Sequence, residues 1–333
     1  MNAFVKSVMI ALGPLALVAC SSGGGDDTSV TLADPAEITS DNAPIIAGAV
    51  VQTTYEGGAL GTFAGLGSGA VLTAPGSQLF AKLGGIQKTQ TDALQQKAQI
   101  GILAATLPTE TEACLNGGTV TLSGQVSNPL TLSPADTFTL VYSGCDDGEG
   151  IINGTYAMTV TGFNGDLLSG SFSLRVTVAL TAFAVTDTGS TVTANGNVSM
   201  TLDAMAAPAF EMLVSTNSLT VSDGISSHTL DGFSLSQTVD ELTGAFTMTV
   251  SGGLESSAFV GRVTFNTVES LDGDGTGYAF SGEITIEGAG GATIDVIVLD
   301  AMLVQLQIDL DGNGIVDELV DTTWDELTLP SGG

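Results

Sequence analysis

Acidic and amide side chains recur at alternate positions near the C-terminus, in "DLDGNGIVDELVD" from Asp309 to Asp321. In a tight loop such spacing turns successive oxygens towards one point, the arrangement a hard divalent cation selects. Asp309, Asp311, Asn313 and Asp317 offer side-chain oxygens, Ile315 offers a backbone carbonyl, and Gly314 supplies the sharp turn between them. These are the candidate metal ligands, and the cofactor expectation is none, or Ca2+ held here. The final bidentate carboxylate of a calcium loop falls on Val320, with Asp321 one residue late. The flanks "VQLQI" and "IVDELVDTTW" read as strands, and an Asp-Gly-Asn-Gly hairpin turn explains both glycines without a metal. Both readings stand at this level. A shorter run, "LDGDGTG" from Leu271 to Gly277, is a weaker version of the same pattern.

Enzymatic chemistry finds little support. His228 is the single histidine, so a Ser-His-Asp relay, a Cys-His pair or a zinc site would each have to use it. Its neighbours Ser227, Asp223 and Asp231 carry suitable groups, but no G-x-S-x-G elbow accompanies them, and a solvated strand histidine is expected. Two of the 36 acidic residues could meet as a glycosidase pair. Aromatic residues, which line sugar clefts, make up only 5% of the chain. The run "GLGSGA" (Gly65–Ala70) lacks the lysine of a phosphate loop. No catalytic residue is assigned, and the chain is expected not to be an enzyme; Trp324 reads as a core or edge anchor.

A formal charge of −30, from 36 acidic against six basic residues, argues against nucleic acid as a partner. Affinity for a phosphate backbone rests on Lys and Arg displacing counterions. The same acidity favours solubility and allows cation binding.

The first residues, "MNAFVKSVMIALGPLALVA", combine Lys6 with an apolar stretch too short to span a bilayer, and read as a secretory signal over 1–19. "LVAC" follows, Leu17 to Cys20, then "SSGGGDD". These residues resemble the lipobox of bacterial lipoprotein precursors at every position, so the resemblance implies diacylglyceryl attachment at Cys20 and further acylation, with palmitate as a typical chain. Two or more acyl chains anchor stably where one does not. Ser21 after the cysteine implies, by the same resemblance, the outer membrane, leaving open which face the domain occupies. Residues 20–44, rich in Ser, Gly, Asp and Pro, read as the lipidated cysteine and a flexible tether. Cys114 and Cys145, 31 positions apart in a chain exported from the reducing cytoplasm, are expected to form a disulfide.

What remains must position these groups. Residues 45–110 are Gly- and Ala-rich: Ile45 to Pro75 read as short strand-like or irregular segments, and 77–106 as one helical stretch with a loose apolar stripe. From 111 to 330 the period becomes two, as in "SFSLRVTVAL" and "VQLQIDL", with Gly, Asn and Asp clusters such as "DTGS", "TANGN" and "SDG" between runs. The fold class is therefore mainly β: a large antiparallel meander of about a dozen strands, as a curved open sheet or a sandwich. A membrane-spanning barrel is disfavoured by the scarcity of aromatic girdles. The pieces "CLNGGTVTLSG", "FTLVYSGC" and "DLDGNGIVDE" resemble uncharacterised proteobacterial lipoproteins, a likeness that carries no activity. The expected function is a non-enzymatic outer-membrane lipoprotein with a structural or interaction role. The alternatives are a carrier of a lipid or other hydrophobic ligand, and a calcium-dependent surface adhesion module. Expected partners are the membrane, through the anchor, and a protein or hydrophobic ligand.

Overall fold

The computed structural model describes residues 33–59, 106–127, 132–148, 150–166, 171–187, 190–206, 208–240, 242–274 and 278–328. Fourteen strands follow one another in sequence: β1 (Thr106–Ala113), β2 (Gly117–Gln125), β3 (Thr137–Asp146), β4 (Ile151–Asp166), β5 (Ser171–Asp187), β6 (Ser190–Asp203), β7 (Ala209–Ser222), β8 (Ser227–Asp240), β9 (Phe246–Ser256), β10 (Arg262–Gly273), β11 (Ser281–Glu287), β12 (Thr293–Val298), β13 (Leu303–Asp309) and β14 (Glu318–Thr323). Helix α1 (Ala43–Ala59) precedes them and α2 (Trp324–Thr328) follows. Each strand pairs antiparallel with its sequence neighbours, in the order β1 to β14. Of the two expected forms, the continuous open sheet is the one found.

Strand pattern follows composition. In β5, Phe172, Leu174, Val176, Val178 and Leu180 are buried while the residues between them are β-branched, small or charged, as a sheet with one apolar face requires. The phase then shifts: Ala182 has φ +46° and Phe183 and Val185 continue the buried face. This is one β-bulge in a seam crossing neighbouring strands, with register shifts at Gly144 in β3, Gly154 in β4 and Gly232 in β8. Bulges leave backbone N–H groups unpaired and bend the sheet. Asparagine side chains satisfy two of these groups: Asn153 Oδ1 accepts the Gly144 N–H at 2.8 Å and Asn195 Oδ1 that of Ala182 at 2.7 Å. "TANGN" (193–197), expected between strands, thus lies inside β6. An Asn-Gly pair is a bulge here because its amide reaches the adjacent strand.

The stretch 45–59 is helix, not the irregular or strand-like chain expected. Thr39 and Asn42 form a capping box at its start: Thr39 Oγ1 accepts the Asn42 N–H at 3.3 Å, and Asn42 Oδ1 reaches back to accept the Thr39 N–H at 2.8 Å. Ala43, Ile46, Ala47, Val50, Val51 and Thr54 are fully enclosed. Small residues serve close approach: a Cβ on Gly48 would stand 2.4 Å from the Leu327 carbonyl oxygen. α1 packs on α2 and meets β8, β9, β12 and β13. At its far end the Tyr55 hydroxyl accepts the Ala279 N–H at 3.0 Å, and Trp324 donates to the Ala279 carbonyl at 3.2 Å. Tyr55, Tyr278 and Trp324 form one ring cluster with centroids 5.3–5.5 Å apart.

The expected tether also ends earlier than 44. Pro35 bridges to Arg262, the Ala36 N–H donates to the Arg262 carbonyl, the Ala36 carbonyl accepts the Ala289 N–H, and Ala36 and Ile38 are buried. Apolar Ala and Ile between polar residues dock where Gly261 and Gly288 leave space for backbone. The predicted helix at 77–106, except its last residue, and the "GLGSGA" run lie outside the described residues; Thr106 opens β1.

Candidate metal centre

β13 delivers Asp309 as its last residue and β14 begins at Glu318, so residues 310–317 close the hairpin. Asp309 is 6% exposed and organises that loop. Its Oδ1 accepts N–H groups of Gly312 (2.9 Å) and Asn313 (3.3 Å), and its Oδ2 accepts that of Gly314 (2.6 Å). Asp311 Oδ1 accepts from Asn313 at 3.2 Å, Asn313 Oδ1 from Ile315 at 2.8 Å, and Asp317 Oδ2 from Leu310 at 2.9 Å. Successive side chains thus wind the backbone around a row of oxygens. Gly312, at φ +69°, also abuts the turn Ala289–Gly291, where a Cβ would meet the Gly290 carbonyl oxygen at 2.7 Å.

One carboxylate oxygen each from Asp309, Asp311 and Asp317 lies within 4.8 Å of the others. Calcium binds oxygens at about 2.3–2.6 Å, so ligands on opposite sides of one ion stand up to about 5 Å apart. Each carboxylate oxygen has two acceptor positions, and the backbone donors leave some of them free. Among the described residues no basic side chain pairs with these three. Burial pushes the Asp309 carboxyl up, but N–H donation from Gly314, Gly312 and Asn313 outweighs it and holds the pKa below the usual carboxylate value.

Sequence reasoning found this set and its weak point. Asp309, Asp311 and Asp317 come together; Asn313 sits in the same loop with its amide oxygen engaged by Ile315, whose side chain is exposed. No carboxylate occupies the final ligand position: Val320 stands opposite Leu306 in the ladder, and Asp321 accepts the Gln305 amide at 2.9 Å. The donor set suits calcium with water completing its shell, and it equally suits a turn stiffened by its own N–H groups.

The other candidates separate. Cys114 and Cys145 form the expected disulfide, Cα atoms 5.3 Å apart, joining the end of β1 to β3 across β2. His228 is half-buried rather than solvated, with Nδ1 enclosed and without a hydrogen-bond partner. Burial lowers its pKa against a smaller opposing pull from Asp223. Asp231 is committed to Arg262, Nε to Oδ1 2.8 Å, and Asp223 accepts the N–H groups of Ile225 and Ser226. Sequence patterns gave no sign of that ion pair, which forms between strands β8 and β10. α1 lies against the sheet beside β8, β9, β12 and β13. No described helix is long and apolar enough to cross a membrane.

No known protein family, curated protein or solved structure matches the chain. The lipoprotein resemblance rests on the residues that carry it.

Proposed function

We propose that the protein is a non-enzymatic outer-membrane lipoprotein in which Cys20 carries the lipid and the fourteen-stranded sheet serves a structural or interaction role. The observation that carries this reading is the allocation of its three cysteines. Cys114 and Cys145 are bonded to each other, which leaves Cys20, directly after the apolar leader and within "LVAC", as the thiol free for acylation. Palmitate labelling of wild type and Cys20→Ser in cells tests it: label is expected only on wild type, and equal labelling overturns the reading.

A second reading concerns the loop, and the mutual approach of Asp309, Asp311 and Asp317 favours it. Calcium there would neutralise three carboxylates that have no basic partner among the described residues and tie β13 to β14, the arrangement a calcium-dependent surface module would use. Melting of the full chain is then expected to rise in millimolar calcium but not magnesium, and the rise to vanish in Asp311→Ala. Identical curves in calcium and chelator leave the loop a turn.

A further inference from the structure

In an antiparallel meander, alternate hairpins open towards the same end. The β1/β2, β7/β8, β9/β10 and β13/β14 turns therefore share one rim. Pairing keeps that rim nearly level, since Gly117 faces Asp146, Ser222 faces Ser227, His228 faces Ser256, and Thr293 faces both Glu287 and Asp309. Each of these four turns presents an apolar side chain to solvent: Leu115 is 79% exposed, Ile225 96%, Val260 92% and Ile315 68%. The N-terminal segment reaches the fold at the same rim, where Asp34 and Ala36 hydrogen-bond Arg262 at the start of β10 and Ala36 bonds Ala289 at the end of β11.

We infer that this rim rests on the lipid bilayer, its turn tips seated among head groups and upper acyl chains, so that the strands stand upright on the membrane. The inference deepens the lipoprotein reading and rests on it. Single exposed apolar residues are ordinary, and the opposite rim has its own in Leu242 and Met302. Reach chooses between the rims. Thirteen residue steps separate Cys20 from Ala33, a span of at most about 45 Å when fully extended. β8, which leads to Leu242, has 14 residues and is about 46 Å long. The far rim at β8 could therefore meet the bilayer only on a taut chain, whereas the near rim can meet it on a relaxed one. Tethering also raises the local concentration of the tips at the surface, so weak partitioning of each suffices. Arg262 beside this rim is already paired with Asp231, so no free arginine there draws the rim to anionic head groups and the apolar tips carry the contact.

The test uses the full acylated chain on phosphatidylethanolamine–phosphatidylcholine vesicles, with one introduced thiol labelled by an environment-sensitive fluorophore. Ile225→Cys and Val260→Cys report the near rim, and Leu242→Cys and Met302→Cys the far one; all four sites are exposed enough to spare folding. Emission at 225 and 260 is expected to shift to the blue and to be quenched severalfold by doxyl lipid, with 242 and 302 unchanged at low and high salt. Quenching at 242 or 302, or at no site while the chain still floats with the vesicles, overturns the rim contact and leaves the anchor standing. A chain with Cys20 intact that fails to float overturns both.

Discussion

The open sheet has two edges, and they are finished by different means. At one, β1 is exposed from Thr109 to Ala113 and β2 buries no residue fully. This edge has little apolar core, and its staple is covalent, the Cys114–Cys145 bond spanning β2. At the other, Val304, Leu306 and Ile308 of β13 are fully buried, and Trp324 of α2 is enclosed against Tyr55 and Tyr278 with its backbone N–H bonded to the Met302 carbonyl. Here burial does the work, assisted by the Asp309 loop. A bare edge invites pairing with another chain: Glu110 and Glu112 blunt the first, and Glu318 and Asp321 the second. The contrast teaches that a disulfide substitutes where a strand cannot bury enough surface to hold itself.

Removing the core device should do the most damage. Trp324→Ala is expected to cost about 3–5 kcal/mol, read as a lower denaturant midpoint, with hydrogen exchange accelerating in β13 and β14 while β1 and β2 keep their rates. Next comes the paired substitution Cys114→Ser and Cys145→Ser, expected to cost about 3–4 kcal/mol in the chain-entropy account and to loosen β1 and β2 selectively. Equal loss of protection at both edges in either variant would break the comparison. The smallest effect belongs to Asp309→Asn, which removes a carboxylate accepting three N–H groups. Because the folded pKa is depressed, the stability Asp309 adds is present above the unfolded value of about 3.9 and disappears as pH falls through the folded value. The wild-type and Asn curves should therefore be separate at neutral pH and converge in acid; a constant gap from about pH 7 to pH 2 would discount the loop's contribution.

The period-two runs of β5 and β13 were legible because their inner residues are large and apolar and most of the residues between them are small or polar. The oxygens at Asp309, Asp311 and Asp317 were legible for a related reason: a loop closing one hairpin is local. Asn195-Gly196 was not, since turn and bulge use the same residues and differ only in whether a neighbouring strand offers Ala182 to the amide. Helix α1 escaped detection because it is enclosed among β strands and α2, so its Ala, Val and Gly show no polar face to mark a helical period. The docking of Ala36 and the pairing of Asp231 with Arg262 depend on partners distant in sequence, where no local pattern reaches.

The strand order carries one more consequence. With each strand bonded only to those before and after it, the sheet can grow by accretion as the polypeptide is delivered N-terminus first, one hairpin at a time, without threading or crossover. Cys145 follows Cys114 closely enough for the first edge to lock early. Among the described elements, α1 is made before any strand yet touches β12, β13 and α2, so its full set of contacts waits for the last hairpin. The earliest of these elements to leave the ribosome is thus completed only by the latest.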